Sequence, residues 1–288
     1  RAQVGGCGGG AARRRLRATE PPHRFLTLRS SRPDATMIRG TTSLIAHIGD
    51  PTHAFKSPMI YNPYFESARI DAVVVPMGCR APDYPAFLRA VFRLTNIAGA
   101  LITMPHKAAT VALLDEASAE VSIAGACNAV RRDGDGRLVG DLFDGEGFVR
   151  GARRKGVVLD GARALVVGAG GVGSAIAASL AAAGVAALAL FDVDAARVRA
   201  LAARLRAHHP GLDVRTGSRD PSGFGVVVNA TPLGMRDGDP LPLDVTRLAP
   251  ETFVGEVVMK DTVTPFLRAA LERGCPVQVG TDMLFEQI

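Results

Sequence analysis

The sequence predicts an α/β protein in two units, the second of them a doubly wound parallel sheet. Three observations carry that prediction. Beyond Met37, short β-branched runs alternate with helical stretches, a pattern that implies parallel or mixed sheets covered by helices. The apolar run Ala164 to Val167 passes directly into Gly168-x-Gly170-x-x-Gly173, and a helical stretch from Ser174 to Ala183 follows. The next strand-like run, Ala187 to Phe191, ends on an acid, Asp192, about 20 residues beyond the glycines.

In chain order, Leu44 to Ile48 reads as a strand, 49–58 as a loop and Met59 to Ala68 as a helix. Ala72 to Pro76 is a second strand, and Pro82 to Leu94 a helix opened by proline. Ala98 to Thr103 forms a third strand ending at Met104-Pro105-His106-Lys107, where another helix begins. Asn128 to Arg132 and Leu138 to Asp141 make a hairpin around Asp133-Gly134-Asp135-Gly136. Gly145 to Lys155 reads as a connecting helix. The second unit continues through a helix from Ala195 to Ala207 and strands at Val214, Val226 to Asn229 and Phe253 to Val258. The expected organisation is a leader over 1–36, a first unit over 37–145, a second over 146–275 and a return to the first over 276–288.

Composition narrows the class. Of 288 residues, 47% are hydrophobic, yet tryptophan is absent and aromatics reach only 5%, so Ala, Val and Leu must fill the cores. The net charge of +6 would suggest nucleic acid, but residues 1–36 carry eight arginines against two acids and account for all of it. The folded body is neutral, so neither nucleic acid nor an anionic surface is an expected partner. No stretch reaches the roughly 18 uninterrupted apolar residues of a membrane span; Ala175 to Leu190 is broken by Ser179 and Gly184. Cys7, Cys79, Cys127 and Cys275 are scattered, the histidines lack ligand spacing, and no metal site is expected. Scattered thiols fit a reducing compartment, so the expected location is cytoplasmic. The Arg-rich leader reads as disordered, either sequence upstream of a start at Met37 or a transit peptide.

The glycine loop is the motif with the clearest mechanism. Gly168 allows a tight turn, Gly170 lets backbone approach a pyrophosphate, and Gly173 lets helix and strand pack closely. The helix N-terminus then offers free N–H groups to phosphate. Asp192 is placed to accept from a ribose 2′-hydroxyl and would repel a 2′-phosphate; Val193 and Asp194 supply no arginine, although Arg197 stands on the next helix. NAD is therefore expected over NADP. Asn229-Ala230-Thr231-Pro232-Leu233-Gly234-Met235 closes a later strand, where it either lines the nicotinamide side or is simply a good turn.

Further motifs follow the same order as in a known family. Gly49-Asp50-Pro51 with Lys56-Ser57-Pro58, Thr103-x-Pro105-His106-Lys107, Gly125-Ala126-Cys127-Asn128, Asp144-Gly145-x-Gly147-Phe148, the glycine loop, Asn229-Ala230-Thr231-Pro232-x-Gly234-Met235 and Met283-Leu284-x-x-Gln287 are all present. Over Ile45 to Gln287 the chain resembles the shikimate/quinate dehydrogenase family, in its divergent shikimate dehydrogenase-like branch. The resemblance implies a substrate domain, a Rossmann cofactor domain and a C-terminal return. It implies hydride transfer between NAD or NADP and a ring hydroxyl of a cyclic polyhydroxy carboxylate, in the shikimate pathway or in quinate metabolism. Lys107 and Asp144 would be the catalytic pair, and Ser57, Thr103, Asn128 and Gln287 would bind substrate. Gly168, Gly170, Gly171, Val172, Gly173, Asp192, Asn229, Thr231 and Gly280 would contact the cofactor. His106 would be packed or solvated.

Four positions depart from the family pattern: Phe55 replaces a serine, Leu101 and Leu142 each replace an asparagine, and Met259 replaces a tyrosine. The expectation is that substrate contacts are lost at these positions. A different ring acid, of an aminoshikimate type, or a non-catalytic NAD(P)-binding sensor remain as alternatives. The family pattern continues past Gln287 into a further helix, so the end at Ile288 reads as a truncation.

Overall fold

The computed structural model describes residues 38–287. The readings of the leader over 1–36 and of the end at Ile288 fall outside them. Two six-stranded sheets organise the chain. The first is built from β1 (Ser43–Gly49), α1 (Ser57–Ser67), β2 (Ala72–Gly78), α2 (Tyr84–Val91), β3 (Ile97–Ile102), α3 (Lys107–Val111), β4 (Glu116–Ala117), α4 (Ala119–Ala124), β5 (Ala129–Arg132) and β6 (Leu138–Asp141). Its order is β2-β1-β3-β5-β6-β4. The strands β2, β1 and β3 are parallel, and β5–β6 is the expected antiparallel hairpin. Asp133 holds its turn by accepting from the backbone N–H groups of Asp135 and Arg137.

The chain then runs through α5 (Asp144–Arg154) into β7 (Arg163–Val167), α6 (Gly171–Ala182), β8 (Ala187–Phe191), α7 (Ala195–His208), β9 (Asp213–Thr216), β10 (Val226–Asn229), β11 (Phe253–Glu256), α8 (Pro265–Glu272), β12 (Val277–Gln278) and α9 (Gly280–Phe285). The second sheet is parallel throughout, in the order β12-β11-β10-β7-β8-β9. Chain direction across the sheet reverses at β7, whose neighbours are β8 and β10. Ligands of such sheets bind at the carboxyl ends of the strands at this switch point.

Element boundaries moved where local chemistry overrode hydrophobic pattern. The first helix opens at Ser57, because Pro58 fits the first turn, where its missing N–H has no intrahelical partner to lose. The glycine-loop helix opens at Gly171, three residues before apolar periodicity begins. Ser118 caps α4 by accepting from Val121 N–H, and Gly125 ends it at φ 68°. Helix α4, only six residues long, was not legible as periodicity. Nor were the two-residue strands β4 and β12; the latter extends the second sheet through residues 277–278.

Helix α5 joins the halves through its glycines. A Cβ on Gly145 would lie 2.1 Å from the Ala175 carbonyl oxygen of α6, and one on Gly147 would lie 2.3 Å from the Met283 carbonyl oxygen of α9. Glycine costs a helix interior about 1 kcal/mol relative to alanine, which here permits two backbones to approach. Ala175 accordingly packs into the core of the first sheet, with Ala46, Ile48, Ile102 and Leu142.

Candidate active site

Lys107 opens α3 at the carboxyl end of β3, and Asp144 opens α5 just after β6. The Lys107 Nζ donates to Asp144 Oδ2 at 2.5 Å, with both side chains largely buried. Gln287 Nε2 donates more weakly to Asp144 Oδ1 at 3.4 Å, which brings the last described residue to the pair. Asn128 is buried; its Oδ1 accepts from Phe143 N–H at 3.0 Å, and this bond braces the turn leading into Asp144. Ser57 is half-buried at the start of α1, and Thr103 half-buried at the end of β3. The predicted His106 is a packing residue: it stacks on Tyr84 at 3.9 Å between ring centroids, and Nε2 shares a 2.8 Å hydrogen bond with the Cys79 carbonyl.

Two side chains at this site escaped sequence reasoning. Tyr61 follows Ser57 by one helical turn and so shares its face. Its hydroxyl donates to the Gln287 carbonyl at 3.2 Å, and burial, with Asp144 nearby, raises its pKa. His47 is the single polar side chain in the run Leu44 to Ile48, and it is 4% exposed. Its ring packs on Phe55 at 4.2 Å, and Nδ1 is buried without a hydrogen-bond partner. Burial, helped by the charge of Lys107, lowers the His47 pKa to about 4.

A histidine neutral in the fold but protonated in the unfolded chain below its ordinary pKa makes stability fall with pH. The unfolded state binds the extra proton between about 6.5 and 4, so stability declines across that window and levels off below it. The loss is on the order of 3 kcal/mol at most, from about 1.4 kcal/mol per pH unit. Thermal melting between pH 7 and 4 should show a shallower decline for His47→Val than for the unmodified protein. Parallel declines would remove His47 as the cause.

Three of the four apolar replacements separate by the faces of the first sheet. Leu101 pairs in register with His47 and packs against the cluster of Ile45, Phe65 and Val74, on the side that carries His47. Phe55 lies against His47 itself. Leu142, in contrast, is 2% exposed within the opposite core, among Ile48, Ile102 and Val130. The expectation that Leu142 marks a lost substrate contact is therefore corrected: its position is a packing position. Met259 is partly exposed in the segment after β11.

In the second sheet the glycine loop has the geometry a pyrophosphate needs. Helix α6 has no side-chain cap at Gly170, so the N–H groups of Gly171, Val172 and Gly173 are first-turn donors. A Cβ on Gly170 or Gly171 would meet nothing within 4 Å, leaving the space before the helix open. Gly168 (φ 109°) and Gly173 are instead tightly enclosed; a Cβ on Gly173 would sit 1.9 Å from the Gly168 carbonyl oxygen. Asp192 Oδ2 accepts from Ala169 N–H at 2.7 Å and Oδ1 from Asp194 N–H at 2.9 Å, so this carboxylate also holds the loop. Val193 beside it is 96% exposed, and Arg197 is paired with Asp194 at 3.4 Å.

Asn229 occupies a different role from the one expected. It is fully buried, donating to the Leu233 carbonyl and Glu256 Oε2 while accepting from the N–H and hydroxyl of Thr231. With all its groups engaged internally, it shapes the Thr231 turn and offers nothing to a cofactor. Thr231 remains half-buried on that turn. Gly280 is glycine for close packing, since a Cβ there would lie 2.3 Å from the Val258 carbonyl oxygen.

The two halves of the site meet through Gly145, which follows Asp144 and abuts Ala175. Ala175 lies four residues into α6 from Gly171, about 6 Å along the helix axis. Through Gly145 the helix that Asp144 opens therefore packs directly on α6, the helix whose N-terminus forms the phosphate site. Residues 47–130 match the family described as the shikimate dehydrogenase substrate binding domain, and residues 154–216 match the ThiF family. The shikimate dehydrogenase (NADP(+)) of Rubrobacter xylanophilus is 36% identical over 254 residues, covering 87% of this chain and 89% of that protein. The chain belongs to the shikimate dehydrogenase family. Shikimate 5-dehydrogenase from Listeria monocytogenes, solved with shikimate and NAD, superposes with a TM-score of 0.81 at 27% identity over 87% of this chain and 90% of that one. Quinate dehydrogenase from Corynebacterium glutamicum, solved with NAD, gives 0.75 at 32% identity over 85% and 90%. As a shikimate dehydrogenase family member, this protein is an NAD(P)-dependent oxidoreductase acting on a CH–OH group. Among its described residues no helix is long and apolar enough to cross a membrane, and no cluster of His, Cys, Asp and Glu could hold a metal ion.

Proposed function

We propose that the protein is a cytoplasmic enzyme interconverting a ring hydroxyl and a ring ketone of a cyclic polyhydroxy carboxylate, shikimate or quinate, with NAD preferred over NADP. The observation that carries this reading is the Lys107–Asp144 pair at the start of α5, the helix whose Gly145 packs on α6 with its open N-terminus. The first-sheet unit, over 37–145, would bind substrate. The second unit, over 146–275 with β12 added at its edge, would hold the cofactor, and 276–288 would return Gln287 to the first.

The dinucleotide would lie on the N–H groups of Gly171, Val172 and Gly173, beside Gly168 and Gly170, and its nicotinamide supplies the hydride acceptor or donor. Asp192 would accept from a ribose hydroxyl, since a carboxylate has about four acceptor sites and only two are in use. Its charge beside the exposed Val193, with Arg197 held by Asp194, supports NAD. Thr231 and Gly280 would border the nicotinamide side, with Asn229 holding the turn. As the neutral amine, Lys107 Nζ takes the hydroxyl proton as the alcohol is oxidised, and as the ammonium it returns that proton as the ketone is reduced. Asp144 keeps that nitrogen in place. Ser57, Thr103, Asn128 and Gln287 orient the ring and its carboxylate, and Tyr61 supports Gln287.

A second reading, a less oxygenated ring acid as substrate, is favoured by Phe55 and Leu101 on the His47 side. Steady-state assays of shikimate, quinate and less oxygenated ring acids, each with NAD and NADP, test both. The expected result is turnover of shikimate or quinate with kcat/KM at least about tenfold higher for NAD. Turnover confined to the less oxygenated acids would select the second reading, and a preference for NADP would overturn the cofactor assignment.

A further inference from the structure

The strand alternation of β1 sends Ala46 and Ile48 into one core and Ile45, His47 and Gly49 to the other face. On that second face the Gly49 position is closed by Thr103 and Phe55: a Cβ there would lie 2.4 Å from Thr103 Cγ2 and 3.0 Å from Phe55 Cζ. His47, two residues earlier, therefore stands beside the loop that carries Thr103 and leads to Lys107, and it packs on the same Phe55 ring. The other histidine buried in this unit shows what a purely structural imidazole looks like here. His106 stacks on Tyr84 and shares a hydrogen bond with a backbone carbonyl. His47 has a tilted ring neighbour, Phe55, and no partner for Nδ1.

An unpaired buried nitrogen costs stability, and native structures rarely keep one without a use. The Phe55 ring packed on His47 and the Leu101 paired with it in register are both apolar. The nitrogen is closed off in this structure, and a ring hydroxyl of a substrate bound at Lys107 would meet it once the neighbouring side chains shift. We infer that His47 is a specificity-determining residue, a neutral imidazole that hydrogen-bonds one ring hydroxyl of the substrate on the side where Phe55 offers no polar group. The inference rests on the proposed reading of the Lys107 site as a ring-acid dehydrogenase. Its low pKa suits the task, because the ring stays uncharged beside Lys107 at neutral pH.

The test pairs enzyme variants with substrate variants. Wild type, His47→Val and His47→Gln are assayed on shikimate, quinate and analogues of each lacking one ring hydroxyl, with melting temperatures as a check on folding. The valine variant is expected to lose about ten- to a hundredfold in kcat/KM, mainly through KM, on substrates that carry the recognised hydroxyl. On the one analogue lacking that hydroxyl it should match wild type. Glutamine, which keeps a donor and an acceptor, should recover most of the loss. A loss equal across all analogues, or no loss, overturns the assignment of His47 while leaving the dehydrogenase reading intact. Wild type that turns over no ring acid at all overturns both. If the valine variant does not fold, His47→Gln decides: a weaker form of the same hydroxyl-dependent pattern supports the role, and a flat profile overturns it.

Discussion

Replacing Lys107 by alanine is expected to lower kcat/KM by about 10²- to 10⁴-fold, the range a positioned acid–base group contributes. NAD affinity, measured by titration calorimetry, should change little, because the dinucleotide contacts proposed lie on α6 and around Asp192. The substitution also leaves Asp144 buried with only the 3.4 Å contact from Gln287. Breaking one partner from a buried pair costs stability, so a lower melting temperature should accompany the lost turnover. Lys107→Arg separates the two effects: it keeps a charge for Asp144 but replaces a nitrogen that can gain and lose a proton with one that stays charged. It should recover stability more than turnover. Near-normal turnover by the alanine variant would remove Lys107 from the chemistry.

The second large effect is expected from a single methyl group at the domain junction. In Gly145→Ala the new Cβ would fall 2.1 Å from the Ala175 carbonyl oxygen and 2.5 Å from Ser179 Oγ. The nearest obstacle is backbone, which no rotamer change relieves, so α5 and α6 must separate. Overpacking of this kind costs about 1–3 kcal/mol and occasionally more, and alanine's better helix propensity, about 1 kcal/mol, offsets only part of it. A denaturant midpoint lowered by about 2 kcal/mol of stability is the expected reading. Asp144 is the adjacent residue, so turnover should fall together with stability. A variant as stable as the parent would mean that the two helices are not held at this distance.

How much was legible beforehand varied with how local the cause was. The glycine loop could be read because its requirements, a tight turn, an open approach and a close crossing, act within six residues. The hairpin at Asp133 was local in the same way. Helix α4 and strands β4 and β12 were not legible, since a six-residue helix and two-residue strands carry too little periodicity. Lys107 and Asp144 were found through family motifs, and only the fold brings side chains 37 residues apart to 2.5 Å. Tyr61 was recoverable in principle from its spacing to Ser57.

The faces of the first sheet were beyond reach. Leu101 and Leu142 looked like equivalent losses of an amide, yet one packs on the His47 side and the other lies in the opposite core. Asn229 looked like a cofactor ligand until its four hydrogen bonds to its own turn and to Glu256 were in view. His47 carried no motif at all. The sequence alone determined the α/β class, the dinucleotide loop and the residue types needed for proton transfer, because backbone conformation and chemical identity are written locally. Tertiary structure decided which side chains share a face, which polar atoms are already satisfied and which, like His47 Nδ1, are left waiting. Those properties depend on neighbours brought together from distant parts of the chain, and hydrogen-bond satisfaction has no meaning until those neighbours are in place.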